Sequence, residues 1–175
     1  MLDTSTNSLL DLNNKNLPKF NITKPQYDRS KLTPGIVHIG VGNFHRAHLS
    51  WYLHRLMQEN KDLDWGIIGA GVLNYDREMR QKLKKQNFLT TLIELDPNGN
   101  KNCEIVGSMI DYAPVEKNNL SLIKAISDSR IRIVSLTVTE GGYFLDGENG
   151  LDFTNSEIVN DINNPNSPIT VFGAI

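Results

Sequence analysis

Residues 35–48 read GIVHIGVGNFHRAH and hold three of the four histidines of the chain, with His54 following within two helical turns. Two chemistries compete for this stretch. His45 and His48 lie three apart near the start of a helical pattern, a spacing that can set two imidazoles on one face and begin a metal site. A metal needs three or four convergent ligands, and neither an H-E-x-x-H arrangement nor a matched group of carboxylates or cysteines accompanies this pair. The expectation is no metal, with His38 hydrogen-bonded inside a strand and His54 on a solvated helix face. The other chemistry belongs to Gly40 and Gly42. Glycines at a strand-to-helix turn let the backbone approach an anion, and the unpaired N–H groups that open the helix point at it. The third glycine of the usual G-x-G-x-x-G is replaced by His45, so the pattern alone leaves a phosphate turn and a plain structural turn both open.

Apolar spacing predicts the strands and helices that carry these residues. Residues 36–41 form a short β-branched run between Pro34-Gly35 and Gly42, which reads as a buried central strand. From residue 44 to 60, Phe44, Ala47, Leu49, Trp51, Tyr52, Leu53, Leu56 and Met57 recur at spacings of three and four, predicting one helix packed on the sheet. Residues 65–70 repeat the strand pattern, and 75–86 predict a polar helix with a thin apolar stripe through Met79 and Leu83. Residues 88–95 and 103–110 predict an antiparallel hairpin around Asp96-Pro97-Asn98-Gly99-Asn100, where proline presets a turn and Asn-Gly accepts positive φ. A helix over 120–126 and a strand over 131–138 continue the alternation, which implies right-handed crossovers and a mostly parallel, two-faced sheet. Residues 1–34, with Pro18, Pro25 and Pro34, read as an irregular arm docked through Leu9, Leu10, Leu12, Leu17, Phe20 and Ile22.

Two further clusters stand at strand ends. Gly69 and Gly71 precede Asp76 in WGIIGAGVLNYDR. An acid there can accept hydrogen bonds from the adenine-side ribose of a dinucleotide, or serve as a helix N-terminal carboxylate favoured by the dipole. Glu140 and Gly141, in TEGGY, read on residue pattern alone as turn punctuation.

Composition narrows the class. The 175 residues are 39% hydrophobic and 22% charged with a formal net charge of -2, an ordinary globular balance without the basic footprint of a nucleic-acid binder. Cys103 stands alone, the first residues lack a secretory pattern, and no run approaches the roughly 18 apolar residues of a membrane span. A cytoplasmic protein without nucleic-acid or membrane partners is expected.

The segment GIVHIGVGNFHRAHLSWYLHRL resembles the G-x-G-x-F-x-R opening of the mannitol dehydrogenase family of long-chain polyol dehydrogenases, which includes fructuronate reductases. DWGIIGAGVLNYDREM, SLTVTEGGY and EIVNDINNPNSPITVFG resemble three further blocks in the same order. The resemblance implies an α/β, Rossmann-like, mostly parallel sheet with helices on both faces and an inserted β-hairpin, truncated before a C-terminal helical domain. Residues 1–34 would be the arm and 35–175 a dinucleotide-binding domain incomplete at its C-terminus. The implied activity is NAD-dependent hydride transfer between a polyol and a ketose, D-mannitol and D-fructose foremost. By similarity Gly40, Gly42, Phe44 and Arg46 hold the cofactor phosphates, with Asn43 where many members have another glycine. Asp76 matches the acid that favours NAD over NADP, and Glu140 and Gly141 approach the nicotinamide ribose. The family's catalytic Asn and its Lys, Asn and His group belong to motifs absent here. The expectation is therefore a fragment that binds NAD at most, inactive alone, and prone to self-association through exposed apolar surface. The alternatives are a noncatalytic nucleotide-binding module working through a partner, or a degenerate product.

Overall fold

The computed structural model describes residues 10–175; Leu9 and the start of the arm lie outside them. The elements run β1 (Pro34–Ile39), α1 (Asn43–Ala47), α2 (Leu49–Met57), β2 (Gly66–Ala70), α3 (Asn74–Lys85), β3 (Thr90–Leu95), β4 (Lys101–Val106), β5 (Met109–Tyr112), α4 (Leu120–Ile126), β6 (Ile133–Leu136), α5 (Ser156–Asn163) and α6 (Val171–Ala174). Four strands form a parallel sheet in the order β5-β2-β1-β6, and β3 with β4 form a separate antiparallel hairpin. All six residues of β1 are buried because it is central and covered on both faces. Alternation along the strand divides the core. Ile36 packs with Ile67, Leu83, Met109 and Tyr112 on one face, while Val37 and Ile39 pack with Ala70, Leu122, Val171 and Ala174 on the other. The expected two-faced parallel sheet with an inserted hairpin is present.

Four local expectations are corrected. The single helix over 44–60 is two, because His48 (φ -120°, ψ -87°) leaves helical geometry and re-phases the residues after it. The buried face then carries His45, Ser50, His54 and Met57, while Phe44 and Tyr52 are 64% and 62% exposed. His54 is consequently not solvated. It is fully buried, with Nδ1 2.7 Å from the Tyr27 hydroxyl and Nε2 3.5 Å from Glu104 Oε1.

The strand expected over 103–110 breaks at Gly107-Ser108, so that its first part stays in the hairpin and its second, β5, joins the parallel sheet beside β2. The arm fixes this break: the Arg29 guanidinium donates to the carbonyls of Gly107, Met109 and Asn87. Finally, the arm docks most deeply through Tyr27 and Leu32, which are buried; Leu12, Leu17 and Phe20 are half-buried, whereas Leu10 and Ile22 are exposed. Near the end of the chain, Asp161 accepts from the backbone N–H groups of Ile169 and Thr170 and from the Thr170 hydroxyl, which closes the loop between α5 and α6.

Candidate functional site

The expected site clusters meet at the C-terminal edge of the parallel sheet. Sequence order reverses there, β1 having β2 on one side and β6 on the other, and ligands of open α/β sheets bind in the crevice so formed. Gly40 ends β1 with φ +95°, and a Cβ on it would stand 2.7 Å from the Thr137 carbonyl oxygen, so both conformation and close approach require glycine. Its N–H donates to Ala70 O at 3.0 Å and Thr137 N–H donates to Ile39 O at 3.0 Å, which seats the turn between the ends of β2 and β6. Gly42 is the N-cap of α1, and a Cβ there would meet nothing within 4 Å. A cradle thus opens where the first amides of α1 emerge. Asn43 and Phe44 begin the helix, and Phe44 stacks on His48 with ring centroids 4.3 Å apart.

Beneath this turn lie two imidazoles. His38 and His45 are 2% and 1% exposed and stack at 3.8 Å with an interplanar angle of 15°. Thr137 Oγ1 donates to Gly40 O at 2.8 Å and therefore accepts from His38 Nε2 at 3.0 Å, which leaves His38 Nδ1 to accept from the Ser135 hydroxyl at 2.9 Å. One neutral tautomer of His38 is fixed. Burial lowers its pKa to about 4, and burial with the neighbouring His38 and Arg46 lowers that of His45 to about 3. Neither nitrogen of His45 has a hydrogen-bond partner. His48, by contrast, is exposed, with Nδ1 2.9 Å from Phe44 O, so the imidazoles at 45 and 48 share no face. Among the described residues no group of three or more His, Cys, Asp or Glu could hold a metal ion.

Arg46 points along α1 toward α3, its guanidinium against Asn43 Oδ1 and 3.4 Å from Met79 Sδ. Asp76, after β2, turns back onto its own helix: Oδ2 accepts from Leu73 N–H at 2.9 Å, and burial raises its pKa. A Cβ on Gly71 would stand 2.2 Å from Asp76 Cγ, so this glycine makes room for the carboxylate. Glu140 and Gly141 lie in a short 3-10 turn (Glu140–Gly142) that follows β6, exposed, with open space over Gly141. Sequence reading passed over Ser135 and Thr137. Two hydroxyl side chains spaced two apart within an apolar strand, facing a buried histidine one strand away, are the signal that marks them.

The profile of the mannitol dehydrogenase Rossmann domain matches residues 34–175. The chain belongs to the mannitol dehydrogenase family. Among the family's curated members, a mannitol 2-dehydrogenase of Cereibacter sphaeroides is 54% identical over 154 residues, covering 88% of this chain and 32% of that protein. Mannitol dehydrogenase 2 of Saccharomyces cerevisiae is 40% identical over 99% of this chain and 35% of its own. The structure superposes with a TM-score of 0.88 and 39% identity on a Pseudomonas fluorescens mannitol 2-dehydrogenase in ternary complex with NAD and D-mannitol, covering 94% of this chain and 34% of that one. The chain thus spans about a third of the length of the mannitol dehydrogenase family members it matches.

Proposed function

We propose that residues 35–175 are the dinucleotide-binding portion of an NAD-dependent polyol 2-dehydrogenase, with D-mannitol and D-fructose as the substrate pair. The observation that carries this reading is the open cradle over Gly42 beside the constrained Gly40 turn, at the switch point of a sheet that superposes on an NAD-bound relative. The backbone fits the group: no Cβ fills the space above the α1 amides, and Gly141 leaves the β6 side equally open. In this reading the amides of Asn43 and Phe44 face the pyrophosphate, with Arg46 contributing charge from α1. Asp76 faces the adenine ribose and disfavours a 2'-phosphate, and Glu140 and Gly141 approach the nicotinamide ribose. Bound NAD supplies the acceptor for hydride from the carbinol carbon.

The roles proposed for these residues are confined to holding and orienting the nucleotide, in a chain that spans about a third of its relatives' length. A reducing, cytoplasmic setting accords with the single unpaired Cys103. Titration with NADH, NADPH and ATP, followed through the fluorescence of Trp51 and Trp65, tests the reading. Saturable binding of NADH in preference to the other two is expected, and an absence of NADH binding by the folded chain would overturn it.

A further inference from the structure

The third glycine of the usual fingerprint lets a helix pack closely on its strand, and here His45 occupies that position. The structure accommodates it by laying the ring flat on His38, the β1 residue directly beneath, at 3.8 Å. His38 is not free to shift. Its two nitrogens bind Ser135 and Thr137 on the β6 side, and the Thr137 hydroxyl passes the constraint on to Gly40 O. Three contacts, His45 on His38, His38 to Thr137 and Thr137 to Gly40, therefore run without interruption from the body of α1 through β1 and the end of β6 to the residue that shapes the turn, with Ser135 bracing His38 from the side. The arrangement carries a cost, since a neutral imidazole has one N–H and both nitrogens of His45 are buried without partners. A buried polar ring kept at such a position, where an apolar one would pack without that cost, calls for a reason beyond filling space.

We propose that His38, His45 and Thr137 are positioning residues of the phosphate turn. The stacked pair takes over the spacing role of the missing glycine, and Thr137 ties that pair to the Gly40 carbonyl, so that the amides opening α1 are held in their anion-accepting orientation. The proposal rests on the dinucleotide reading above for its ligand, while its geometry is testable without one.

Thr137→Val keeps the shape of the side chain and removes the hydroxyl, whereas Thr137→Ser keeps the hydroxyl. His45→Gly restores the usual fingerprint. Amide hydrogen exchange at residues 41–46, read relative to the β2 amides of the same sample, separates loosening of the turn from loss of global stability. Thr137→Val and His45→Gly are both expected to exchange faster at 41–46 relative to β2 and to bind NADH about tenfold more weakly, with Thr137→Ser close to the parent. If the parent binds no NADH but the exchange pattern appears, the nucleotide reading fails and the positioning role stands. If Thr137→Val exchanges like the parent, or if His45→Gly binds NADH as tightly or more tightly, the proposal is overturned. Should His45→Gly not fold, Thr137→Val alone decides.

Discussion

Gly42 is the residue at which folding and binding separate most cleanly. Its backbone has φ -85°, which any residue adopts, and its missing side chain faces open space. Gly42→Leu should therefore fold with a stability within about 0.5 kcal/mol of the parent, yet bind NADH at least about tenfold more weakly, because the new side chain fills the cradle. Calorimetric melting and nucleotide titration of the same preparation check the two halves, and unchanged affinity would remove the phosphate turn from the site. Asp76 behaves differently, since it already caps α3 through Leu73 N–H. Asp76→Asn keeps an acceptor for the cap and discards the charge, so it should retain most of the stability while narrowing the preference for NADH over NADPH. Asp76→Ala should narrow it too and also lose about 1 kcal/mol through the cap. Equal NADH to NADPH affinity ratios in parent and Asp76→Asn would leave Asp76 with its capping role alone.

At the scale of elements, the junction of α2, the hairpin and the arm depends on a buried neutral histidine. His54 on α2 meets Tyr27 of the arm and Glu104 of β4, while Trp51 Nε1 donates to Glu104 at 2.7 Å and Arg55 pairs with it at 3.2 Å. Burial lowers the His54 pKa to about 4, with the Glu104 carboxylate opposing that shift. His38 and His45 are lowered as well. A histidine held below its unfolded value near 6.5 contributes stability that is complete above that pH and is lost as pH falls toward the folded value. The fold should lose on the order of a few kcal/mol between pH 6.5 and 4. Urea denaturation across that range measures it, and His54→Gln should flatten part of the slope. A stability that is constant from pH 7 to pH 4 would contradict the buried, neutral state of these rings.

For the whole molecule, β6 is an edge strand of the sheet, with Ile133 and Leu136 exposed, and Phe153, Phe172 and Ile175 are exposed as well. An unpaired strand edge beside scattered apolar side chains favours association. Sedimentation should show mass rising with concentration, and Ile133→Lys on the edge strand should reduce it; a strictly monomeric parent at high concentration contradicts this. Hydride transfer also requires the nicotinamide and carbinol carbon in near-attack geometry and a base to take the hydroxyl proton. In the reading proposed above these residues hold the nucleotide and no group among them is given either task, so the purified 175-residue chain is expected to show no NADH-linked turnover of mannitol or fructose. Turnover abolished by a substitution within these residues would place a complete active site here.

Local periodicity and spacing are enough to specify much of this fold. The apolar runs at 36–41 and 65–70, the polar helix through Met79 and Leu83, the Asp96–Asn100 turn and the two glycines after β1 each arise from interactions among near neighbours. Partners far along the chain set the rest, and only the folded molecule brings them together. The break between β4 and β5 is held by Arg29, nearly eighty residues earlier. His54 is buried because Tyr27 and Glu104 converge on it, and Asp76 turns inward because Gly71 leaves room. The departure of His45 from the glycine fingerprint acquires a physical reason only when parallel pairing sets Ser135 opposite His38 and brings Thr137 over Gly40. Hydrophobic period reports which face is apolar; it carries no information about which polar side chains will find partners across a sheet and so be buried with them.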